Sequence, residues 1–97
     1  MSNDLQSMVQ KALADAARRT GRDETTLKVL SAEAVTWPDG SVGCPEPGML
    51  YTQALVPGYR VRIQAGTELL DYPANRRGQL VLCPPSRATD PLRNGPT

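Results

Sequence analysis

Few groups in this chain are equipped for covalent chemistry. Its 97 residues include two cysteines, Cys44 and Cys83, and no histidine. A thiol becomes a nucleophile at neutral pH when a nearby cation or base lowers its pKa. Cys44 instead lies between Gly43 and Pro45 and is followed by Glu46, and an acidic neighbour raises a thiol pKa. At 39 positions apart the two cysteines cannot form a Cys-x-x-Cys redox motif. The absence of histidine removes Cys-His and Ser-His-Asp pairs and the usual zinc ligand set. Gly40 and Gly43 lie between prolines with no following helix or lysine, so they do not form a phosphate loop. These residues point away from an enzyme and imply no cofactor and no metal.

Binding chemistry is better represented. The stretch from Thr36 to Tyr59 holds the single tryptophan, four prolines, four glycines and Cys44. A loop fixed by proline and glycine loses little entropy on binding. Residues 37–49 are therefore the candidate surface of a non-enzymatic binding or interaction module, with Trp37, Asp39, Ser41, Glu46 and Tyr51 as its candidate binding residues. Two rival readings stand beside it. In the first the loop is purely structural, a staple for a small core with no ligand. In the second the chain is a thiol-based redox protein using Cys44 and Cys83. An exposed Trp37 favours binding, a buried one the staple, and an accessible Cys44 of depressed pKa the redox reading. Taken alone, Trp37 suits core or edge packing, Asp39 a turn, and Cys44 a small apolar core position. Asp39 and Glu46 bracket the cysteine, but no loop has the alternating Asp/Asn pattern of a calcium site. Arg60, Arg62, Arg76 and Arg77 read as a solvated sheet face. Eleven basic against ten acidic residues and no interleaved aromatics argue against nucleic acid.

The elements that must position these residues follow from periodicity. Leu5, Met8, Val9, Ala12, Leu13, Ala16 and Ala17 form one apolar stripe, predicting a helix over 4–20 with Ser2 or Asn3 as cap and Gly21 just past its end. Residues 27–37 are rich in strand formers but alternate imperfectly, as a bulge or burial on both faces would produce. Residues 49–55 read as a second strand, joined by a Pro57-Gly58 turn to a third in which Tyr59, Val61, Ile63 and Ala65 alternate with Arg60, Arg62 and Gln64. Gly66 turns the chain into residues 68–72, and residues 79–83 add a last short strand. The expected fold is α+β: one N-terminal helix packed on a meandering antiparallel sheet of about four to five strands, with a long Pro/Gly-rich loop. The sheet face carrying Arg60, Arg62 and Gln64 is expected to be open. Residues 1–83 make a single domain, and residues 84–97 a disordered proline-rich tail.

No apolar run is long enough for a membrane span, and the first residues lack the pattern of a signal peptide. The chain as it stands reads as cytoplasmic, or as periplasmic or exported if it has been trimmed from a longer form. Its partner class is open, a protein or peptide being the expectation, with a monomer or weak dimer as the oligomeric state.

The run Trp37-Pro38-Asp39-Gly40-Ser41-Val42-Gly43-Cys44-Pro45, with Tyr51-Thr52-Gln53, Pro57-Gly58-Tyr59 and Cys83, resembles a group of small bacterial domains of unknown function. Many of these occur in exported proteins or lipoproteins and share a Trp-Pro-Asp-Gly-Ser-Leu-Gly-Cys-Pro core. The resemblance covers roughly residues 5–83 and is motif-specific. Val42 departs from the leucine of the group, and Pro73-Ala74 stands where a Tyr-His-Thr type of sequence is expected. At fold level the order of elements is also similar to PepSY and cystatin-like domains, which implies no function. The resemblance implies that Cys44 and Cys83 lie near each other, since exported relatives would gain from a bridge between the rigid loop and the last strand.

Overall fold

The computed structural model describes residues 4–92. Helix α1 spans Asp4–Thr20 and buries the expected stripe. Met8, Ala12 and Ala16 are enclosed, with Leu5, Val9 and Leu13 packed beside them. On its outer turns Asp15 pairs with Arg18 at 2.7 Å and Arg19 at 2.6 Å. Gly21 ends the helix at φ 71°, its N–H donating to the Ala17 carbonyl at 2.9 Å, as a left-handed C′ residue does. The cap expected at Ser2 or Asn3 lies outside the described residues. A short 3₁₀ turn at Glu24–Thr26, capped by the Asp23 carboxylate, leads into the sheet.

The sheet has three antiparallel strands, β1 (Lys28–Trp37), β2 (Val56–Ala65) and β3 (Glu68–Asn75), in the order β1-β2-β3. This corrects the expected four to five. Pro57 and Gly58 do not form a turn. They lie inside β2, opposite Thr36 and Val35, so the long β1 takes the edge of β2 that a hairpin from residues 49–55 would have used. Proline is tolerated there because pairing with β3 begins only at Gly58. Residues 49–55 are left outside the sheet, with Met49, Leu50 and Leu55 exposed. Residues 79–83 run beside β3 but make only isolated bridges, Asp71 with Cys83 and Ala74 with Leu80. In that register Val81 stands opposite Pro73. Its N–H reaches the Pro73 carbonyl at 3.3 Å, and the return bond is impossible because proline has no N–H. The ladder therefore never becomes a continuous strand.

The irregular alternation of β1 is a bulge at Leu30, where the pairing shifts between Val29 and Ser31. Past it the two faces of the sheet separate cleanly, since residues paired across strands share a face. One face presents Tyr59, Val61, Ile63 and Ala65 of β2 with Leu70, Tyr72 and Ala74 of β3, and α1 covers it to make the main core. The Tyr72 hydroxyl donates to Asp15 at 2.7 Å, tying sheet to helix.

The other face carries Val35 and Trp37 of β1, Arg60 and Arg62 of β2, and Asp71 and Pro73 of β3. It is not open. Residues 38–48 fold over it, and residues 84–92 cross back along it: Thr89 N–H donates to the Gly43 carbonyl at 3.0 Å and Leu92 N–H to the Thr36 carbonyl at 2.9 Å. Val35, Trp37 and Cys83 are buried beneath this cover. Arg60 is buried with them, held by Asp71 through bonds of 3.2 and 2.8 Å and by Asp90 at 3.0 Å. The tail expected to be disordered from residue 84 is thus described as far as Leu92, and residues 93–97 lie outside the description.

Candidate functional site

The candidate loop begins where β1 ends. Trp37 is 0 % exposed, and its indole N–H donates to the Ala74 carbonyl at 3.2 Å, satisfying the one polar group such a ring must bury. The loop then turns at Asp39, whose carboxylate accepts from the Ser41 N–H at 2.9 Å and the Ser41 hydroxyl at 2.6 Å. The Ser41 hydroxyl and backbone N–H hold the Asp39 carboxyl below the usual carboxylate range. Ser41 is occupied with Asp39, and both act as turn residues.

Val42 and Gly43 follow at φ 52° and 77°. Two successive left-handed residues curl the chain onto Trp37, and only a residue without a side chain fits at the second. A Cβ on Gly43 would stand 2.7 and 2.8 Å from Cη2 and Cε3 of the indole. At Val42 the same backbone is strained, because a β-branched residue rarely adopts it.

Cys44 comes next and is disulfide-bonded to Cys83, with Cα atoms 5.8 Å apart. The register explains the meeting: Cys83 pairs with Asp71 and so shares the face that the loop covers. Cys44 is partly exposed, whereas Cys83 is 1 % exposed, with its sulfur 3.8 Å from the Gly43 carbonyl. The Arg87 guanidinium lies 3.9 Å from the Cys44 sulfur. Further along, the Glu46 N–H donates to the Tyr51 hydroxyl at 2.9 Å, closing the far end of the loop, while the Glu46 side chain is exposed.

Of the residues singled out in the sequence, Trp37, Cys44 and Cys83 come together under the loop, Asp39 and Ser41 form its first turn, and Glu46 and Tyr51 its far end. Ser41, Val42, Cys44 and Glu46 also line one wall of a cleft of about 340 Å³, whose opposite wall is Pro73, Asn75, Gln79, Val81, Leu82 and Arg87. The second wall went unrecognised in the sequence. Arg87 sits in the tail, and no spacing ties it to the loop. Among the described residues no three His, Cys, Asp or Glu side chains gather as a metal site requires. No described helix is long and apolar enough to cross a membrane.

The chain belongs to the family described as a domain of unknown function, DUF8738, whose model matches residues 9–83. No curated protein and no solved structure matches it. The family is therefore that of a small domain without assigned function, and these comparisons lend no support to the nine-residue core motif as its signature or to a PepSY or cystatin-like fold.

Proposed function

We propose that this family member works as a non-catalytic structural domain in which residues 37–49 serve the fold as a staple. The observation that carries the reading is the complete burial of Trp37 beneath Gly43, with its N–H already bonded to Ala74. A ring spent in this way is not available as a ligand platform. The disulfide adds to it. Closing a loop of this length stabilises the folded state by about 4 kcal/mol in the chain-entropy model. A bridge of this kind persists in an oxidising compartment, so the proposal includes a periplasmic or exported place of work.

A thiol-redox role is the second reading, favoured by the Arg87 guanidinium beside the Cys44 sulfur, since a cation stabilises a thiolate. The arrangement of the two sulfurs weighs against it. An external thiolate must attack the more accessible sulfur, that of Cys44, and the electron pair of the broken bond leaves on Cys83. That sulfur is enclosed and faces a carbonyl oxygen, an environment that resists a negative charge. The leaving group is the wrong one of the pair.

The test is to expose the oxidised chain to reduced glutathione, trap free thiols by alkylation and follow the fold by circular dichroism. The structural reading expects the bridge to survive until denaturant opens the domain, and reduction then to lower the unfolding midpoint. Rapid reduction with the fold unchanged would overturn it in favour of the redox reading.

A further inference from the structure

The cleft between the loop and residues 79–83 contains a cation, Arg87, that no carboxylate among the described residues neutralises. Arg87 is partly buried, and its Nε is enclosed without a hydrogen-bond partner among the described residues. No carboxylate among those residues lies within salt-bridge distance of it, in contrast to Arg60, which has two. Its Nη2 rests against the Cys44 sulfur, a weak acceptor that orients the guanidinium without satisfying it. Nε is shut off from solvent and so from a ligand, but Arg87 also lines the cleft, and an anion that reaches its outer nitrogens supplies the counter-charge that the described residues do not.

The rest of the lining defines which ligand. Val42, Pro73, Val81 and Leu82 supply the apolar part of the lining, and Val81 is 54 % exposed. The amide of Gln79 stands at the same wall: its oxygen is taken by the Asn75 side chain at 2.7 Å, which leaves its NH₂ group as a donor. Glu46 lies on the loop wall, and its negative charge opposes a multiply charged anion such as phosphate. A guanidinium fork matches a planar carboxylate. We propose that this cleft binds a monocarboxylate carrying a short branched apolar body, with Arg87 taking the carboxylate and Val42, Val81 and Leu82 the body. The free acid and the C-terminal residue of a peptide share this chemistry. The site uses the outer side of the staple, through Val42 and Glu46, and leaves the buried Trp37 in its structural role.

The experiment is an amide-resolved NMR titration of the oxidised 97-residue chain. Four probes are used: isovalerate, the neutral isovaleramide, inorganic phosphate, and an N-acetylated dipeptide ending in leucine. Saturable shifts at Val42, Gln79, Val81 and Arg87 are expected with isovalerate, with the dipeptide, or with both, and the tighter of the two identifies the source. Isovaleramide should bind at least about tenfold more weakly, the factor expected for losing one charge-assisted bond, and phosphate should also bind more weakly, since it meets Glu46 with more charge and has no apolar body for the rest of the lining. Arg87→Gln should weaken the carboxylates by a similar factor, and Arg87→Lys by less. The proposal is overturned if neither carboxylate saturates, if isovaleramide or phosphate binds as well as isovalerate, or if folded Arg87→Gln binds as the native chain does. Because the probe comparison uses the native chain, a misfolded variant does not protect the proposal.

Discussion

Replacing Gly43 by alanine tests whether the loop is held down by its contact with Trp37. The left-handed backbone at Gly43, φ 77°, costs an L-residue about 1–2 kcal/mol on its own. The added Cβ would also press on the indole, 2.7 and 2.8 Å from two ring carbons, well inside van der Waals contact. The ring has no room to move, being fully enclosed and bonded to the Ala74 carbonyl at 3.2 Å. Overpacking of this kind costs about 1–3 kcal/mol more, so Gly43→Ala should destabilise by about 2–5 kcal/mol. Gly48 supplies the control. Its φ is 82°, and a Cβ there meets nothing within 4 Å, so Gly48→Ala should show the backbone cost of about 1–2 kcal/mol alone. Urea unfolding of the oxidised variants, followed by the fluorescence of the single tryptophan, measures both. In a Trp37→Leu background, followed by circular dichroism because the only tryptophan is gone, the excess at Gly43 should shrink, because the two sites share one contact. Equal losses at Gly43 and Gly48 would refute the view that the loop rests on the indole.

Asp71→Ala should cost about 3–5 kcal/mol in the same titration, since it strips the buried Arg60 of its two-point partner. Asp90→Ala should cost under about 1 kcal/mol, its side chain being 85 % exposed. Ending the chain after Pro85 removes the bonds from Thr89, Asp90 and Leu92 to the covered face. The melting temperature should fall by about 4–8 °C for each kcal/mol lost, and an unchanged value would show that this segment anchors nothing. Burial raises the Asp15 pKa, but the Tyr72 hydroxyl and then Arg19 outweigh it and leave the carboxyl below the usual range. A depressed folded pKa stabilises fully above the unfolded value of about 4 and fades as pH falls through the folded one. Asp15→Asn should therefore be less stable at neutral pH and lose less below about pH 4. Parallel acid limbs for the two proteins would count against the pairing.

Helix α1 was legible because its stripe is self-contained: Met8, Ala12 and Ala16 reveal a buried face without reference to anything distant. The alternation from Tyr59 to Ala65 was legible for the same reason. The second face of the sheet was not. Arg60 and Arg62 look solvated in their own strand, and only the register that puts Asp71 opposite Arg62, two residues from Arg60, gives the buried Arg60 its partner, while Arg62 stays partly exposed. Pro57-Gly58 carried a genuine turn signal, overridden by the length of β1, which needed Val56 and Pro57 as partners for Trp37 and Thr36. The bridge between Cys44 and Cys83 was implied by resemblance and is present. Of the candidate site, Ser41 and Glu46 were named in the sequence and line the cleft. Arg87 was not, because a tail poor in apolar residues is held here by hydrogen bonds to Thr36, Gly43 and Arg60, and such bonds leave no periodic trace.

The bridge between Cys44 and Cys83 also fixes how the domain would respond to force. Its two sulfurs close a ring that contains all of β2 and β3, while α1, β1 and the segment after Cys83 lie outside it. A pull applied through the ends runs along the outer segments and across the covalent link, bypassing the central strand and its hairpin. Peeling β1 from β2 and the tail from the covered face would release slack, but the 39-residue span inside the ring would stay hidden, withholding roughly 130–140 Å of contour. Cutting the bridge returns that length to the extending chain. Oxidation thus sets how far the molecule can be drawn out before its backbone becomes taut.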